Sequence, residues 1–406
     1  TSFNQPLNSW NLVRQWPYRV FLKRMFKDAT AFNQPLDNWD VSQVTDMDSL
    51  FDGATAFNQN INSWSTGSVN TMNRTFAGAT AFNQPLNNWN VSKVTNMSSM
   101  FDHCHRFNQD IGNWDVSSVT DMSSMFQQSE IFNQNIGNWN VGNVTNMGAM
   151  FNEAYRFNQD IGNWDVSKVT EMGAMFAASD FNQEIGIWDV SKVTNMYRMF
   201  SNTEFNQEIN NWDVSEVTNM REMFSFSSFN QPLNNWNVSK VTTMLGMFNN
   251  ANTFNQPLNN WNLSNLTNMS SMFFSADSFN QPLNNWDTSS VESMFSMFED
   301  TLVFDQNISS WNVESTITCS FMFKGTKLSN ANYEALLIGW STQNLRGNVS
   351  FDAGNSTYFS NAAEAAKLNM INNDNWTIYD GGKIQEITWT GANGTNWNDV
   401  GNWDTN

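Results

Sequence analysis

A unit of about 25 residues recurs through most of this chain and constrains its fold more than any other feature. The clearest copy runs from Phe82 to Arg106, FNQPLNNWNVSKVTNMSSMFDHCHR, and the next opens at Phe107. A fixed period of this length indicates a stacked-repeat architecture, because one unit cannot bury its apolar residues alone. The opening Phe stands at thirteen positions, each followed seven places later by a Trp: Phe3, Phe32, Phe57, Phe82, Phe107, Phe132, Phe157, Phe181, Phe205, Phe229, Phe254, Phe279 and Phe304.

The apolar positions inside one repeat predict its local structure. Leu36, Trp39 and Val41 form an LxxWxV pattern, and the period of two from Trp39 to Val41 predicts a short strand with one buried face. Met47 and Leu50 are spaced as in a single helical turn that ends at the following Phe. Each repeat is therefore predicted to run from a strand through a link to a helical turn and a return loop. Stacking would then place Phe on Phe, Trp on Trp and Met on Met.

A polar ladder is expected beside the apolar ones. An Asn follows the opening Phe in successive repeats, and stacked amides can bond along the stacking axis while satisfying backbone groups in tight turns. We expect this ladder to be structural. Its members include Asn33, Asn58, Asn83, Asn108, Asn133, Asn158 and Asn182.

The repeat length varies at two places. Three consecutive repeats, starting at Phe157, are 24 residues long. Their missing residue falls between the Met-Phe pair and the next opening Phe, as in Phe176 to Phe181, which predicts a loop there. The first repeat instead gains four residues through the basic stretch LVRQWPYRVFLKR, which is either a bulge or an N-terminal transition.

The period stops after Phe323, so the chain is divided into a repeat array (1–323), a C-terminal capping segment (324–383) and the start of a further β-rich module (384–406). An open array end needs an atypical cap. Within this segment the sequence predicts a capped helix after Ser329, a strand around Val349 and Phe351, an Ala-rich helix from Asn361 to Met370, and a strand at 376–379.

The charge and the cysteine content narrow the range of functions that the chain can have. The chain carries 19 Lys and Arg against 38 Asp and Glu, a formal net charge of -19, which argues against nucleic-acid binding. Cys104 and Cys319 lie nine repeats apart, too far for a disulfide in a stacked array.

The chain has no signal peptide and no apolar run long enough to span a membrane. Both ends look cut, so we expect a fragment of a larger protein.

The repeat resembles that of a known family, the bacterial surface-protein repeat of about 26 residues related to the BspA-like leucine-rich repeats. The resemblance rests on FNQxI/LxxWxVSxVTxMxxMF, as in 107–126, and covers about four-fifths of the chain. The segment LSNANYEALLIGW to NWTIYDGG is similar to the piece that closes such arrays in marine and gliding Bacteroidota.

The resemblance implies a leucine-rich-repeat-like, right-handed solenoid on an extracellular protein, with LxxWxV as the concave strand and MxxMF as the convex turn. Together with the repeat pattern it gives the expected fold class: α/β, about 13 short strand-plus-helical-turn repeats with a small α+β C-terminal cap. Trp in a position usually held by Leu or Ile, and the insertion in the first repeat, depart from the family pattern.

The polar residues beside the LxxWxV positions form a candidate binding surface, here called the polar ribbon. Repeated Asn, Asp and Ser side chains offer a face for a repetitive ligand such as a glycan. Their oxygens also suit Ca²⁺, the one cation considered, although no calcium-binding motif is present and no other cofactor is expected. The alternative is a solvated face that resists aggregation. The candidate ligand-binding residues are Asn87, Asn88, Asn90, Asn113, Asp115, Asn138, Asn140, Asn163 and Asp165.

Metal binding and catalysis are two other chemistries that the sequence does not favour. His103 and His105 flank Cys104, a combination that can bind Zn²⁺. Yet Cys104 aligns with the small residues Ala54 and Ala79, so we expect its side chain to be buried in the core. The regular Met and Trp positions are likewise assigned to the core, with Trp16 and some C-terminal Trp left as exposed sugar platforms. No catalytic motif is present, so an enzyme is not expected.

These observations favour a stalk or adhesive display segment of a large secreted bacterial cell-surface protein. The alternative is a module that binds a polysaccharide along the polar ribbon. The expected partners are an extracellular surface, a polysaccharide or other cell-surface proteins, with no nucleic acid and no membrane insertion by this segment.

Overall fold

A computed structural model describes residues 2–10, 20–385, 388–389 and 403–404. It forms two compact units, Thr1–Val241 and Thr242–Asn406, and each is described by itself. Residues 11–19, which include Trp16 and most of the predicted insertion, lie outside the described residues. So does most of the predicted module at 384–406, of which only residues 384–385 and two short strands are described. The predicted domain boundaries stay a prediction.

Regular secondary structure is concentrated near the C-terminus. The strands are β1 (Val20–Phe21), β2 (Val44–Asp46), β3 (Ser350–Asp352), β4 (Thr357–Tyr358), β5 (Thr377–Tyr379), β6 (Gly382–Lys383), β7 (Thr388–Trp389) and β8 (Trp403–Asp404), and the helices are α1 (Asn330–Trp340) and α2 (Asn361–Asp374). The pairs β1–β2, β3–β5 and β4–β6 are parallel, and β7–β8 is antiparallel.

Each repeat is a series of β-turns, and its apolar residues are the first and last residues of those turns. In every turn the N–H of the last residue donates to the carbonyl oxygen of the residue three places earlier. This arrangement places the two central residues, which are mostly polar, outside the core. In the copy that opens at Phe82 the N···O distances are 3.0 Å for Trp89–Leu86, 2.9 Å for Val94–Val91, 3.1 Å for Met100–Met97 and 3.0 Å for both Cys104–Phe101 and Phe107–Cys104.

The predicted strand at LxxWxV is wrong in its position. Asn87 and Asn88 form the corner of a turn between Leu86 and Trp89, so the chain reverses where the pattern suggested an extended segment. Asn is a favoured turn residue, because it tolerates the turn conformations and bonds to nearby backbone. Parallel pairing between repeats occurs further along, through bridges such as Asn96 to Asp121.

The predicted helical turn at MxxMF is also wrong. Ser99 and His103 have φ of 51° and 57°, the left-handed region, which an α-helix does not contain. The N–H of Phe101 donates to the oxygen of Met125 in the next repeat at 2.9 Å, not to a residue four places earlier. The N–H groups of Met97, Ser99 and His103 point to the next repeat in the same way. Backbone hydrogen bonds therefore join the repeats to one another.

The apolar residues stack in register from repeat to repeat. The rings of Phe82 and Phe107 lie 6.0 Å apart at an angle of 10°, and those of Trp114 and Trp139 lie 6.5 Å apart at 3°. From Trp39 to Trp311 the twelve repeat Trp residues are buried, which confirms their assignment to the core, whereas Trp10 is exposed. The Met residues of the turn, such as Met97 and Met100, are buried as predicted.

The predicted Asn ladder is structural, as expected. The side-chain oxygen of Asn83 accepts from the N–H of Asn108 at 3.0 Å and from Nε2 of Gln109 at 2.9 Å. The same pair of bonds links Asn108 to Asn133 and Gln134. One amide oxygen per repeat therefore satisfies a backbone donor and a side-chain donor of the next repeat.

The three shortened repeats (157–228) replace the last turn by a side-chain hydroxyl. In the first of them Oγ of Ser179 donates to the oxygen of Phe176 at 2.7 Å and lies 3.4 Å from the N–H of Phe181. Thr203 and Ser227 take the equivalent place in the next two. A buried hydroxyl thus holds the loop from which one residue is missing, where the sequence placed the deletion.

In the second unit the parallel pairing continues from the last repeat into the C-terminal segment. Cys319 bridges to Phe351 of β3, and the N–H of Phe323 donates to the oxygen of Asp352 at 2.9 Å. Helix α1 packs beside them with Gly339 close to the backbone, since a Cβ there would lie 2.4 Å from the oxygen of Ser309. Both predicted helices and both predicted strands of this segment are present.

The Asn ladder of the second unit ends in an Asp that meets helix α1. Asp305 takes the ladder position after Asn280, whose Oδ1 accepts from its N–H at 3.0 Å. Its own Oδ1 accepts from the N–H and Oγ of Ser329 at 2.8 and 2.9 Å, and Ser329 is the N-cap of α1. A carboxylate is favourable at a helix N-terminus, so the ladder and the helix are joined at this point.

Candidate functional site

All nine residues predicted to bind a ligand lie on the surface. Each is exposed. Five of them occupy the turn corner before the buried Trp: Asn87, Asn88, Asn113, Asn138 and Asn163. The other four lie in the link between that Trp and the buried Val that opens the next turn: Asn90, Asp115, Asn140 and Asp165. The turns repeat once per repeat, so the side chains recur in rows along the first unit. The polar ribbon is therefore a row of turn corners and of the links that follow them, where the sequence predicted the outer face of strands.

Four of the nine already use a side-chain oxygen to close their own turn. Oδ1 of Asn90 accepts from the N–H and Oγ of Ser92 at 3.1 and 2.8 Å. Asp115 makes the same two bonds with Ser117, at 3.1 and 2.6 Å. Asn140 and Asp165 accept from the N–H two residues later at 3.2 and 3.1 Å. These bonds are Asx turns, a local structural role for the residue type.

The Asx turns also lower the pKa of the ribbon carboxyls. The hydroxyl hydrogen bond from Ser117 lowers the pKa of Asp115, and the backbone N–H of Ser117 adds to this effect. The pKa of Asp165 is lowered by Ser167 in the same way. Exposed carboxylates are ionised at neutral pH in any case, so these bonds extend the ionised range of Asp115 and Asp165 further into acid.

Three further residues are tied to neighbouring repeats. Asn87 accepts from Nδ2 of Asn62 at 3.0 Å, and the N–H of Asn88 donates to Oδ1 of Asn62 at 3.0 Å. Nδ2 of Asn113 donates to the backbone oxygen of Asn87 at 2.8 Å. Within the described residues no side-chain hydrogen bond is found for Asn138 or Asn163. These two amides are available to a ligand, whereas the others are partly engaged.

A groove of about 710 Å³ lies on the ribbon side of the shortened repeats. It was not predicted from the sequence. It brings together one predicted residue, Asn163, with three exposed carboxylates from successive repeats and with Ile187, whose side chain is 81% exposed. The residues that define the groove are Asp160, Asn163, Glu184, Ile187, Glu208 and Asn211.

Two departures from the repeat pattern signal this groove. The residue after FNQ is Asp160, Glu184 and Glu208 here, where many repeats have Pro. Ile187 stands where most repeats have Asn. Glycine is also required beside these acids, because a Cβ on Gly186 would lie 2.5 Å from the backbone oxygen of Glu208.

The His–Cys trio is divided between the core and the surface. Cys104 is fully buried, as its alignment with Ala54 and Ala79 predicted, and burial raises the pKa of its thiol. His103 Nδ1 lies 2.5 Å from Asp102, and His105 Nδ1 lies 3.7 Å from Glu130. Within the described ranges no group of three or more His, Cys, Asp or Glu side chains is placed to hold a metal ion.

Serial turns, parallel bridges and in-register aromatic stacks define a repeat protein. The model of the family described as "Mycoplasma protein of unknown function, DUF285" matches residues 20–127, 103–204, 177–277, 225–336 and 257–365. The chain belongs to this family. No curated protein and no solved structure matches the chain.

No helix in the described part of the chain has the length and apolar character to cross a membrane.

Proposed function

We propose that the repeat array is a stalk or display segment of a large secreted bacterial cell-surface protein. The observation that carries the proposal is the uniformity of its construction. The same turns, the same Trp hydrogen bond and the same amide ladder recur in repeat after repeat within each unit. A segment that serves as a spacer, or that displays other parts of the same protein, needs such repetition. A protein with a single binding site does not.

The fold class proposed with it is a right-handed, leucine-rich-repeat-like solenoid, close to the BspA-like repeats of Bacteroidota surface proteins. Parallel bridges between equivalent positions of successive repeats support a solenoid. The FNQ to MF pattern supports the relation to BspA-like repeats. The proposal assigns no catalytic role to the array.

Two experiments test this function. Antibodies against the array should label intact cells of the source organism, because the proposed location is outside the cell. Labelling only after the cells are permeabilised would contradict the location. In a second experiment, deleting residues 57–106 removes two repeats and should shorten the longest dimension, measured by small-angle scattering, by about 10 Å. A deletion variant that collapses to a globule would contradict the spacer role.

A second candidate function is glycan binding along the polar ribbon, with calcium as a bridging ion. It is supported by the exposure of the nine ribbon residues and by the free amide of Asn138. Replacing Asn88, Asn113 and Asn138 together by Ala should then weaken retention on immobilised polysaccharide without unfolding the chain. Retention that is unchanged, with and without added Ca²⁺, would leave the ribbon as scaffold.

A further inference from the structure

A second concavity, here called the corner notch, lies on the three shortened repeats at the loops from which a residue is missing. Its volume is about 240 Å³, and it is lined by the loop residues 178–180 and 202–204, with Tyr155 and Phe226 from the preceding and following loops. The lining comes from four consecutive repeats. The loss of one residue at the same place in successive repeats therefore coincides with a depression in the surface.

The two aromatic residues of the notch break the repeat pattern. Tyr155 is 44% exposed and stands where other repeats have Thr55 and Thr80. Phe226 is 58% exposed and stands where other repeats have Gly53, Gly78 or Asn250. One exposed apolar residue is ordinary on a protein surface, but two large rings at the same depression give it apolar contact area that a ligand can use.

The backbone conformation of Phe226 is a second observation, separate from the exposure of its side chain. Its φ is 56°, in the left-handed region that Gly and Asn adopt most easily. The same conformation recurs at this place in other repeats, as at His103 and Asn202, so what is unusual here is a bulky aromatic residue, which the conformation strains. The ring is not buried in compensation. Both observations on Phe226 therefore point to a contact with something outside the chain.

Polar side chains lie between the two aromatic residues. Asp180, Asn202 and Glu204 are exposed and offer carboxylate and amide groups along the notch. Glu204 accepts from Oγ of Ser228 at 2.5 Å, a bond that joins adjacent repeats and holds the carboxylate in place. The hydroxyls of Ser179 and Thr203 bond inward to Phe176 and Phe200, so they shape the notch and leave recognition to the exposed groups.

We propose that the corner notch binds an uncharged saccharide chain lying along the repeat axis. A sugar ring presents C–H groups on its faces, which pack on aromatic rings, and hydroxyls at its edges, which bond to carboxylates and amides. Tyr155 and Phe226 are three repeats apart, or about 14 Å along the stacking direction at the usual spacing of paired strands. The site thus takes several consecutive sugar rings.

The competing occupant is a basic peptide, which the carboxylates of Asp180 and Glu204 would attract. The uncharged saccharide is favoured because it uses both exposed rings and the amide of Asn202 as well as the carboxylates. The two occupants differ in their salt dependence, since binding of a basic peptide weakens as ionic strength rises.

The test uses variants that restore residues found at the same places in other repeats. Tyr155→Thr copies Thr55 and Thr80, and Phe226→Asn copies Asn250, so both variants should fold as well as the parent. Phe295→Ser is the matched control. It removes an exposed Phe from the second unit and copies Ser270, which stands at the same place in its own repeat.

Binding is measured by affinity electrophoresis of the full chain in gels that contain dextran, laminarin, galactomannan or xylan, with oligolysine as the peptide probe. We expect retardation by at least one of the four polysaccharides, little changed between low and high salt. Each notch variant should weaken it about tenfold, and Phe295→Ser should leave it unchanged. No retardation by any polysaccharide, retardation that both notch variants retain, or salt-sensitive binding of oligolysine alone would overturn the proposal. None of these outcomes bears on the stalk function.

Discussion

Nε1 of Trp139 donates a hydrogen bond to the backbone oxygen of Ile111, one repeat earlier in the chain, at 3.1 Å. The equivalent bond joins Trp114 to Leu86 and Trp164 to Ile136. Leu or Ile at the same place could fill the core but could not supply this donor. The bond gives a physical reason for Trp at this place, because the indole fills the core and also donates a second hydrogen bond to a carbonyl that closes a turn.

Trp139→Phe is therefore expected to destabilise the first unit. It leaves the carbonyl of Ile111 without its indole donor and opens a small cavity, with an expected loss of about 1–3 kcal/mol. Guanidinium unfolding followed by circular dichroism measures the change. Ile187→Asn is the control, because the side chain is exposed and the change should stay within about 0.5 kcal/mol. An unfolding midpoint for Trp139→Phe equal to that of the parent would contradict the role of the bond.

The amide ladder predicts different effects for two replacements of Asn108. Asn108→Ala removes the oxygen that accepts from Asn133 N–H and Gln134 Nε2, both at 3.0 Å, and should cost about 1–3 kcal/mol. Asn108→Asp keeps an oxygen in place, as Asp305 does at the end of the ladder in the second unit, and should cost clearly less. Chemical unfolding of both variants measures the difference. Equal losses would mean that the acceptor oxygen is not what matters.

The left-handed residues of the turns predict a stabilising substitution. Ala149 has φ of 55°, a conformation that costs a residue with a side chain about 1–2 kcal/mol relative to Gly. Ala149→Gly should stabilise the fold by about 0.5–1 kcal/mol after the entropy cost of Gly in the unfolded chain. Ala79→Gly, at a buried position, should do the opposite. Thermal unfolding compares the two, and destabilisation of similar size in both would contradict the turn geometry.

The Asx turns make stability depend on pH in the acid range. The Ser117 hydrogen bonds depress the pKa of Asp115 in the folded state, and Asp165 and Asp189 are lowered in the same way by their own Ser residues. A depressed folded pKa adds stability above the unfolded value, about 3.9, and loses it as the pH falls through the folded value. The contribution of these groups to the melting temperature should thus be constant near neutral pH and decrease as the pH falls below about 4.

The triple variant Asp115→Asn, Asp165→Asn, Asp189→Asn isolates this effect. Asn closes the same turn at Asn90 and Asn140, so the variant should fold normally. Its melting temperature should lie slightly below that of the parent near neutral pH, where the contribution of the ionised carboxylates is fully present, and the two should converge as the pH falls. A parent and a variant with parallel acid profiles would show that these carboxylates do not contribute. The groups are exposed, so solvent screening keeps the difference small.

Both thiols should be unreactive in the native protein. Cys104 and Cys319 are buried and free, and burial raises the pKa of each thiol. A buried neutral thiol is a poor nucleophile. A chromogenic disulfide reagent at pH 8 should detect neither thiol until guanidinium unfolds the chain, when both should react. Fast labelling of the native protein would contradict the burial.

The sequence was sufficient for the core but not for the path of the backbone. The period alone identified the Phe, Trp and Met ladders and the Asn ladder, because a fixed repeat brings each residue onto its own equivalent. The turns were missed because a spacing of three, as in Met97 and Met100, fits both a helical turn and the two ends of a β-turn. The spacing recurs in Leu86–Trp89 and Val91–Val94, and this series is the signal that favours turns.

The candidate sites were predicted less completely. The ribbon residues are exposed as expected, yet the Asx turns of Asn90 and Asp115 depend on local backbone geometry that a pattern of polar residues does not specify. Ile187 and Phe226 are departures from the consensus and were visible in the sequence. Their meaning depended on their exposure and, for Phe226, on φ, which only coordinates supply.

The most direct test of the account measures the spacing of the repeats in the first unit. Spin labels are placed on Cys at Asn38, paired with Cys at Asn113, Asn163 or Asn211, which lie three, five and seven repeats away at the same exposed turn corner. Electron–electron resonance should give distances of about 14, 24 and 34 Å, a rise of about 4.8 Å per repeat. Distances that level off or fall as the repeat separation grows would contradict one layer per repeat, and with it the proposed stalk.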